Sequence, residues 1–388
     1  MAQYTAYPSL ALIKAPCRTP AILGLLLLAM LAPGLALAKG PPPDPRATAL
    51  IEQLGLKESP VASRDLPGWK KPSRVVVTRS NPELLKQLQA AAPGVEILPA
   101  AEGEALAKQL ATTQAVIGLC NAETLAAAPS LRWIQTWWVG VERCISVPGL
   151  DERGIVISNA QRTSAVPIAE HAMAMTMSLA RGLPQYERLQ MKADWADDID
   201  TIEMRELTGQ TMLVVGLGGI GTEVARRAHG IGMRVIATRN SSREGPEFVA
   251  KVGLADELLA LAAEADVVVN ATPLTPATTG IFNRAFFAAM KPGGYFVNIG
   301  RGRSVVTDDL VEALRGKRLA GAGLDVTDPE PLPKDSPLWQ MGNVIITPHV
   351  ASVSAVQGDR YVILVTENLR RYVAGEPLLN VVDIERGY

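Results

Sequence analysis

The chain has 388 residues, 48% hydrophobic and 20% charged, with a formal net charge of -1. That balance describes a soluble globular protein with room for two domains. It excludes the broad basic stripe that nucleic acid or an anionic membrane surface would demand.

In chain order, the N-terminus stands apart. The first acidic residue is Asp44; before it come Lys14, Arg18 and the apolar run Ala21 to Ala38, which ends in Ala-Leu-Ala. A basic start, an apolar middle and a small-residue cleavage site form a secretory signal pattern over residues 1–38. An uncleaved membrane anchor and a start codon set too far upstream are the alternatives. Only an uncleaved run would bring the protein to a membrane. Gly40 to Pro45 (GPPPDP) reads as a stiff spacer, and residues 39–72 as a linker and N-terminal extension with one short helical pattern. Cys120 and Cys144 could pair in an oxidising compartment, but two buried free thiols are the expectation. Their spacing suggests no metal site.

From Arg74 short apolar runs alternate with helical stretches: RVVVT, VEILPA, QAVIGL and LRWIQTW are strands with helices between. This pattern means a parallel sheet covered on both faces. A long Ala- and Met-rich helix follows (VPIAEHAMAMTMSLARGL), its methionines read as core filler and its His171 as a packing or hinge residue. A second alternating series starts at Gln210, with His229 at a helix end. A last helix, about 352–373, folds back on the first unit. The expected architecture is α/β, two doubly wound parallel-sheet domains. A Rossmann-type dinucleotide-binding domain (165–349) is inserted into a flavodoxin-like substrate domain (73–164 and 350–388).

VVGLGGIG sets Gly216, Gly218 and Gly221 between a strand and a helix, with Gly219 and Ile220 in the same turn. The first glycine permits the turn, the second admits a pyrophosphate, and the third lets helix and strand pack closely. The N–H groups that open the helix then meet the phosphate charge. About 20 residues on, this design places an acid for the ribose 2′-hydroxyl of NAD or an arginine for the 2′-phosphate of NADP. MRVIATRNSSR places Arg239 there, followed by Ser241, Ser242 and Arg243. A guanidinium grips a phosphate that a carboxylate would repel. NADP is therefore the expected cofactor and NAD the alternative; a solvated basic loop is the bland reading.

Three later strand ends each carry one ionisable residue: Arg301 in NIGRG, Glu330 in DPEPLP, and His349 in TPH. Ligands of such sheets bind outside the carboxyl ends of the strands. There an arginine can clamp a carboxylate, a histidine can move a proton, and a glutamate can fix that histidine's tautomer. Singly, each also reads as a surface arginine, a capping acid and a loop histidine.

With GLGGIG, TPLTPATTG, NIGRG, GLDV followed by EPLP, and TPH in this order, the chain from about Arg74 onward resembles the D-isomer-specific 2-hydroxyacid dehydrogenases. The resemblance implies a catalytic set of Arg301, Glu330 and His349. It also implies a substrate carboxylate bound by Arg301 and the Val139-Gly140 backbone, with Thr272 and Pro273 bordering the cofactor. Asp325 would face the nicotinamide carboxamide, and Asn298 would stand near the catalytic loop. Hydride transfer between a nicotinamide cofactor and a small 2-oxo acid such as glyoxylate or hydroxypyruvate is the implied activity, with no metal, and a homodimer is expected. Arg239 and the Glu142-Arg143 pair depart from the family pattern. A phosphoglycerate-dehydrogenase-like enzyme and a non-catalytic dinucleotide sensor are the competing readings. The signal-like leader argues for export, whereas an NADPH cofactor argues for the cytoplasm.

Overall fold

The computed structural model describes residues 41–195 and 203–388; the signal-like leader lies outside them. Helix α1 (Pro45–Leu54) and strand β1 (Glu58–Ala62) come first. There follow β2 (Arg74–Val77), α2 (Pro82–Ala91), β3 (Glu96–Pro99), α3 (Gly103–Leu110), β4 (Ala115–Ile117), α4 (Ala122–Ala127), β5 (Trp133–Gln135), α5 (Glu142–Ile145) and β6 (Val156–Ser158). All pairings among β2 to β6 are parallel, in the order β3-β2-β4-β5-β6, a flavodoxin-like winding. β2, β4 and β5 are buried throughout except Arg74. That is why they read as unbroken apolar runs: both faces are covered.

The long helix read from sequence is α6 (Ala165–Ala180), and a second helix, α7 (Leu183–Met191), follows it. Gly182 takes a left-handed φ of 65°, and Pro184 opens the second helix. The second series runs β7 (Thr211–Val215), α8 (Gly219–Gly230), β8 (Arg234–Thr238), β9 (Lys251–Gly253), α9 (Leu258–Ala262), β10 (Val267–Asn270), α10 (Arg284–Ala289), β11 (Gly294–Asn298), α11 (Thr307–Arg315), β12 (Leu319–Leu324) and β13 (Val344–Ile346). These strands form a parallel sheet ordered β13-β12-β11-β10-β7-β8-β9. This is Rossmann topology with one strand added at the edge. α6 and α8 pack on one face through Met173, Leu179, Val224 and Ala225. A cluster of Phe282, Phe286, Phe287 and Phe296 fills the other.

α12 (Gln357–Ala374) returns to the first sheet, where Val365, Leu369 and Tyr372 pack with Val75, Val77 and Trp133. The Rossmann unit is thus inserted, as the sequence suggested. The helix starts five residues later than the expected Ser352. The amides of Val350 and Ala351 donate to the Asp325 carboxylate, at 2.9 and 3.1 Å, and tie the preceding segment to the other sheet's loops. After α12, β14 (Pro377–Leu379) pairs antiparallel with β1, so residues 58–62 are part of the fold. Asp44 caps α1 and Pro45 is already helical, which shortens the expected spacer.

The two cysteines are a correction. Cys120 and Cys144 form a disulfide, their Cα atoms 5.2 Å apart. The end of β4 lies beside α5, and the sequence, with the two cysteines 24 positions apart, gives no sign of this adjacency.

Candidate active site

The glycine turn after β7 is built as its three glycines require. Gly216 has φ 98°, a left-handed conformation that favours glycine. A Cβ at Gly221 would strike the Gly216 carbonyl, whereas one at Gly218 would meet nothing within 4 Å. The turn is therefore tight within and open outward, so a pyrophosphate can approach the backbone there. α8 begins at Gly219, and its first N–H groups face the same opening. This arrangement fits a dinucleotide.

β8 ends beside that turn, because Gly216 N donates to Thr238 Oγ1 at 3.2 Å and Leu217 N to Thr238 O at 2.9 Å. Arg239 is next in the chain. It is half-buried, and its Nη1 donates to Glu244 O at 2.9 Å. Arg243 forms an ion pair with Glu257 at 2.5 Å. Ser241 is exposed, and Ser242 Oγ accepts from Glu244 N at 3.4 Å. Asn240 Nδ2 donates to Tyr388 Oη at 3.4 Å, a contact the sequence did not reveal. Across the turn, Thr272 donates through both N and Oγ1 to Asn270 Oδ1, at 3.0 and 2.7 Å, fixing the start of the Thr272-Pro273 loop.

His349 Nδ1 lies 3.1 Å from Glu330 Oε2, and the other carboxylate oxygen, Oε1, accepts from Thr327 N at 3.1 Å. Both side chains remain reachable, 50% and 41% exposed. His349 has φ 55°, which costs a non-glycine residue about 1–3 kcal/mol. Its surroundings offset this: His349 N donates to Asp325 O at 2.8 Å, and Thr347 Oγ1 to Asp325 Oδ1 at 2.6 Å. Asp325 is 3% exposed, and both its carboxylate oxygens accept from the 347–351 segment. His171 joins this network, its Nε2 2.9 Å from Thr347 Oγ1. It thus braces the histidine loop from α6. A cavity of about 490 Å³ lies beside the pair, walled by Asp325, Leu332, Trp339 and Thr347 among others.

Arg301 follows β11 on a tight turn. Its carbonyl accepts from Asn298 Nδ2 at 3.1 Å and Ser304 Oγ at 2.6 Å. Gly302 beside it is packed so closely on Thr327 that a Cβ would strike the Thr327 carbonyl. The arginine turn and the Glu330 loop are therefore in contact. The guanidinium itself reaches across to the other sheet: Nε donates to Glu142 Oε1 at 2.8 Å, and Nη1 to Gly300 O at 2.9 Å. Its Nη2 lies against Gly140, where a Cβ would collide with it. Asn159 Nδ2 donates to Val139 O at 2.8 Å and holds that loop in place. The structure thus joins Glu330 to His349 and brings Arg301 to Val139-Gly140, and Glu142 is an unforeseen member of the group. Burial pushes the Glu142 carboxyl up, but the charge and hydrogen bond of Arg301 outweigh it and hold the group below the usual carboxylate range.

Together these loops set a glycine turn, an arginine-bearing loop and a His–Glu pair at the carboxyl ends of the strands of one parallel sheet. A family model described as D-isomer specific 2-hydroxyacid dehydrogenase, NAD binding domain, matches residues 173–351. A glyoxylate reductase of Korarchaeum cryptofilum is 35% identical, over 68% of this chain and 80% of its own. The D-3-phosphoglycerate dehydrogenase of Mycobacterium tuberculosis is 34% identical over 74% of this chain, which spans only 52% of that enzyme's length. Among solved structures, the NADPH-dependent glyoxylate/hydroxypyruvate reductase of Sinorhizobium meliloti, in complex with NADP and sulfate, superimposes with a TM-score of 0.70. It is 32% identical, over 81% of this chain and all of that one.

Proposed function

The chain belongs to the D-isomer specific 2-hydroxyacid dehydrogenase family, and from that premise we propose that it reduces small 2-oxo acids of the glyoxylate or hydroxypyruvate type with NADPH. The observation that carries the proposal is the His349–Glu330 pair, 3.1 Å apart, beside the turn that presents Arg301.

The cofactor would lie on Gly216, Gly218, Gly219, Ile220 and Gly221, between Thr272-Pro273 and the Arg239 loop. Ser241, Ser242 and Arg243 would help Arg239 bind the 2′-phosphate. When bound, the nicotinamide supplies the hydride. Arg301 and the Val139-Gly140 backbone bind the substrate carboxylate, and Arg301 also draws electron density toward the carbonyl oxygen. Protonated His349 donates its proton to that oxygen, with Glu330 on Nδ1 stabilising the imidazolium until transfer. In the reverse direction neutral His349 accepts the proton. Asp325 orients the His349 loop through Thr347, Val350 and Ala351, a further role beside the carboxamide contact. In this reading the 73–164 and 350–388 segments form the substrate domain and 165–349 the cofactor domain. Two copies pair as a homodimer. A cleaved leader and the disulfide would together place the protein in an oxidising compartment, against the cytoplasm that an NADPH cofactor favours.

The test is steady-state turnover of glyoxylate, hydroxypyruvate, pyruvate and phosphohydroxypyruvate with NADPH, repeated for His349→Ala. Efficient reduction of the first two, lost by at least about 100-fold in the variant, is expected. NADPH binding with no turnover on any of the four would instead make the protein a sensor. Preference for the phosphorylated acid would make it phosphoglycerate-dehydrogenase-like.

A further inference from the structure

The ion pair between Arg301 and Glu142 crosses from one sheet's loops to the other's, over 159 residues of sequence. Both ends are held. Glu142 opens α5, whose Cys144 is bonded to Cys120 and whose first turn is closed by Cys144 N and Ile145 N on Val141 O, at 2.8 and 2.9 Å. The Arg301 backbone is gripped by Asn298 and Ser304. Neither side chain is a free surface charge, at 28% and 31% exposure. An unengaged guanidinium would offer a carboxylate two parallel N–H arms. Here Nε is taken by Glu142 and Nη1 by Gly300 O. Nη2 is left against Gly140, in the loop that would bind the substrate carboxylate.

We propose that Glu142 is a positioning residue: it occupies one edge of the Arg301 guanidinium and thereby presents the Nη2 arm, beside Gly140, to the 2-oxo acid. The inference rests on the reductase reading. Its consequence is a trade. The site binds the anionic substrate less tightly than a bare arginine would, because a resident carboxylate competes for the same cation. In return Arg301 is held in one orientation toward the carbonyl, and misplacement by about 1 Å can cost about 100-fold in rate.

The experiment uses Glu142→Gln in the full chain and pairs two measurements. One is oxalate affinity for the NADPH-loaded protein, oxalate being a planar carboxylate that cannot be reduced there; the other is kcat and KM for hydroxypyruvate. The expected result is opposite in sign: oxalate binds about 3-fold tighter or more, while kcat falls about 10- to 100-fold. A purely structural role would weaken both together. That result, or oxalate affinity unchanged, or kcat within about 2-fold of the wild type, overturns the proposal. NADPH affinity, measured by fluorescence, should be unaltered, since the side chain of Glu142 bonds to Arg301 and not to the glycine turn. Glu142→Asp retains the charge on a shorter arm and should show the same pair of shifts in smaller measure; it carries the test should the glutamine variant not fold. A wild-type protein that reduces no 2-oxo acid defeats the reductase reading, whereas the oxalate arm still reads the pairing of Glu142 with Arg301.

Discussion

At the end of β8 a carboxylate would repel a 2′-phosphate, and Arg239 stands there instead. One of its arms is on Glu244 O, which leaves others to turn toward the cofactor. Arg243 would have to leave Glu257, but an exposed pair of this kind is weak and screened by salt, so the exchange costs little. A hydrogen bond to a charged group is worth about 1.5–3 kcal/mol, or roughly 10- to 100-fold in affinity. Arg239→Asp should therefore weaken NADPH binding by about that factor, with added repulsion, while changing NADH binding by less than about 3-fold. Fluorescence titration with both cofactors checks this, and equal losses would return the loop to solvent. At this scale the motifs were legible because their chemistry is local. The glycines, Arg239, and the strand-end Arg301, Glu330 and His349 each sit at a position that sequence spacing defines. The Arg301–Glu142 pair was not legible: it depends on two loops from different sheets meeting, and no periodicity records that.

Among the elements, the buried strands were the most readable, since a run such as VVV or VVVN with both faces covered has no other period to show. Termini were less so. α12 starts later than the sequence pattern suggests, after a segment whose Val350 and Ala351 amides are tied to Asp325 across 25 and 26 residues. The pairing of β1 with β14 joins segments more than 300 residues apart. Short α5 had no periodicity to betray it, yet it carries both Glu142 and a disulfide. That bridge closes a loop of 24 residues, for which chain entropy gives about 3 kcal/mol. Reduction with dithiothreitol should lower stability toward denaturant by roughly that amount. The same bond tests the compartment. Protein drawn from its native cell under non-reducing conditions should show no alkylation of Cys120 or Cys144 until a reductant is added. Free labelling of both would defeat the pairing and the export reading together.

At the scale of the whole molecule, the candidate site draws on two wound sheets: loops of one carry Val139, Gly140 and Glu142, and loops of the other carry the glycine turn, Arg301, Glu330 and His349. Away from this site lies an apolar surface on and beside α6 and α7. Met177, Leu183 and Met204 are 46%, 52% and 41% exposed, Met191 83% and Trp195 93%. Met204 lies against this helical pair, its Sδ 3.9 Å from Tyr186 Oη and 3.8 Å from Arg181 Nη2. A large exposed tryptophan and several methionines grouped in this way mark an association surface. α6 packs directly on the cofactor-side sheet, so pairing through this patch would brace the scaffold of the glycine turn without covering the substrate loops. Were two copies to meet through this patch, the same surface on both would give a two-fold dimer. Light scattering after gel filtration should therefore give twice the mass of one chain. Met191→Asp combined with Trp195→Asp should shift the protein to the monomer. Both changes lie on solvent-facing positions, so the monomer should keep its fold by circular dichroism. An unaltered dimeric mass in the double variant would place the interface elsewhere, and a monomeric wild type would remove it altogether.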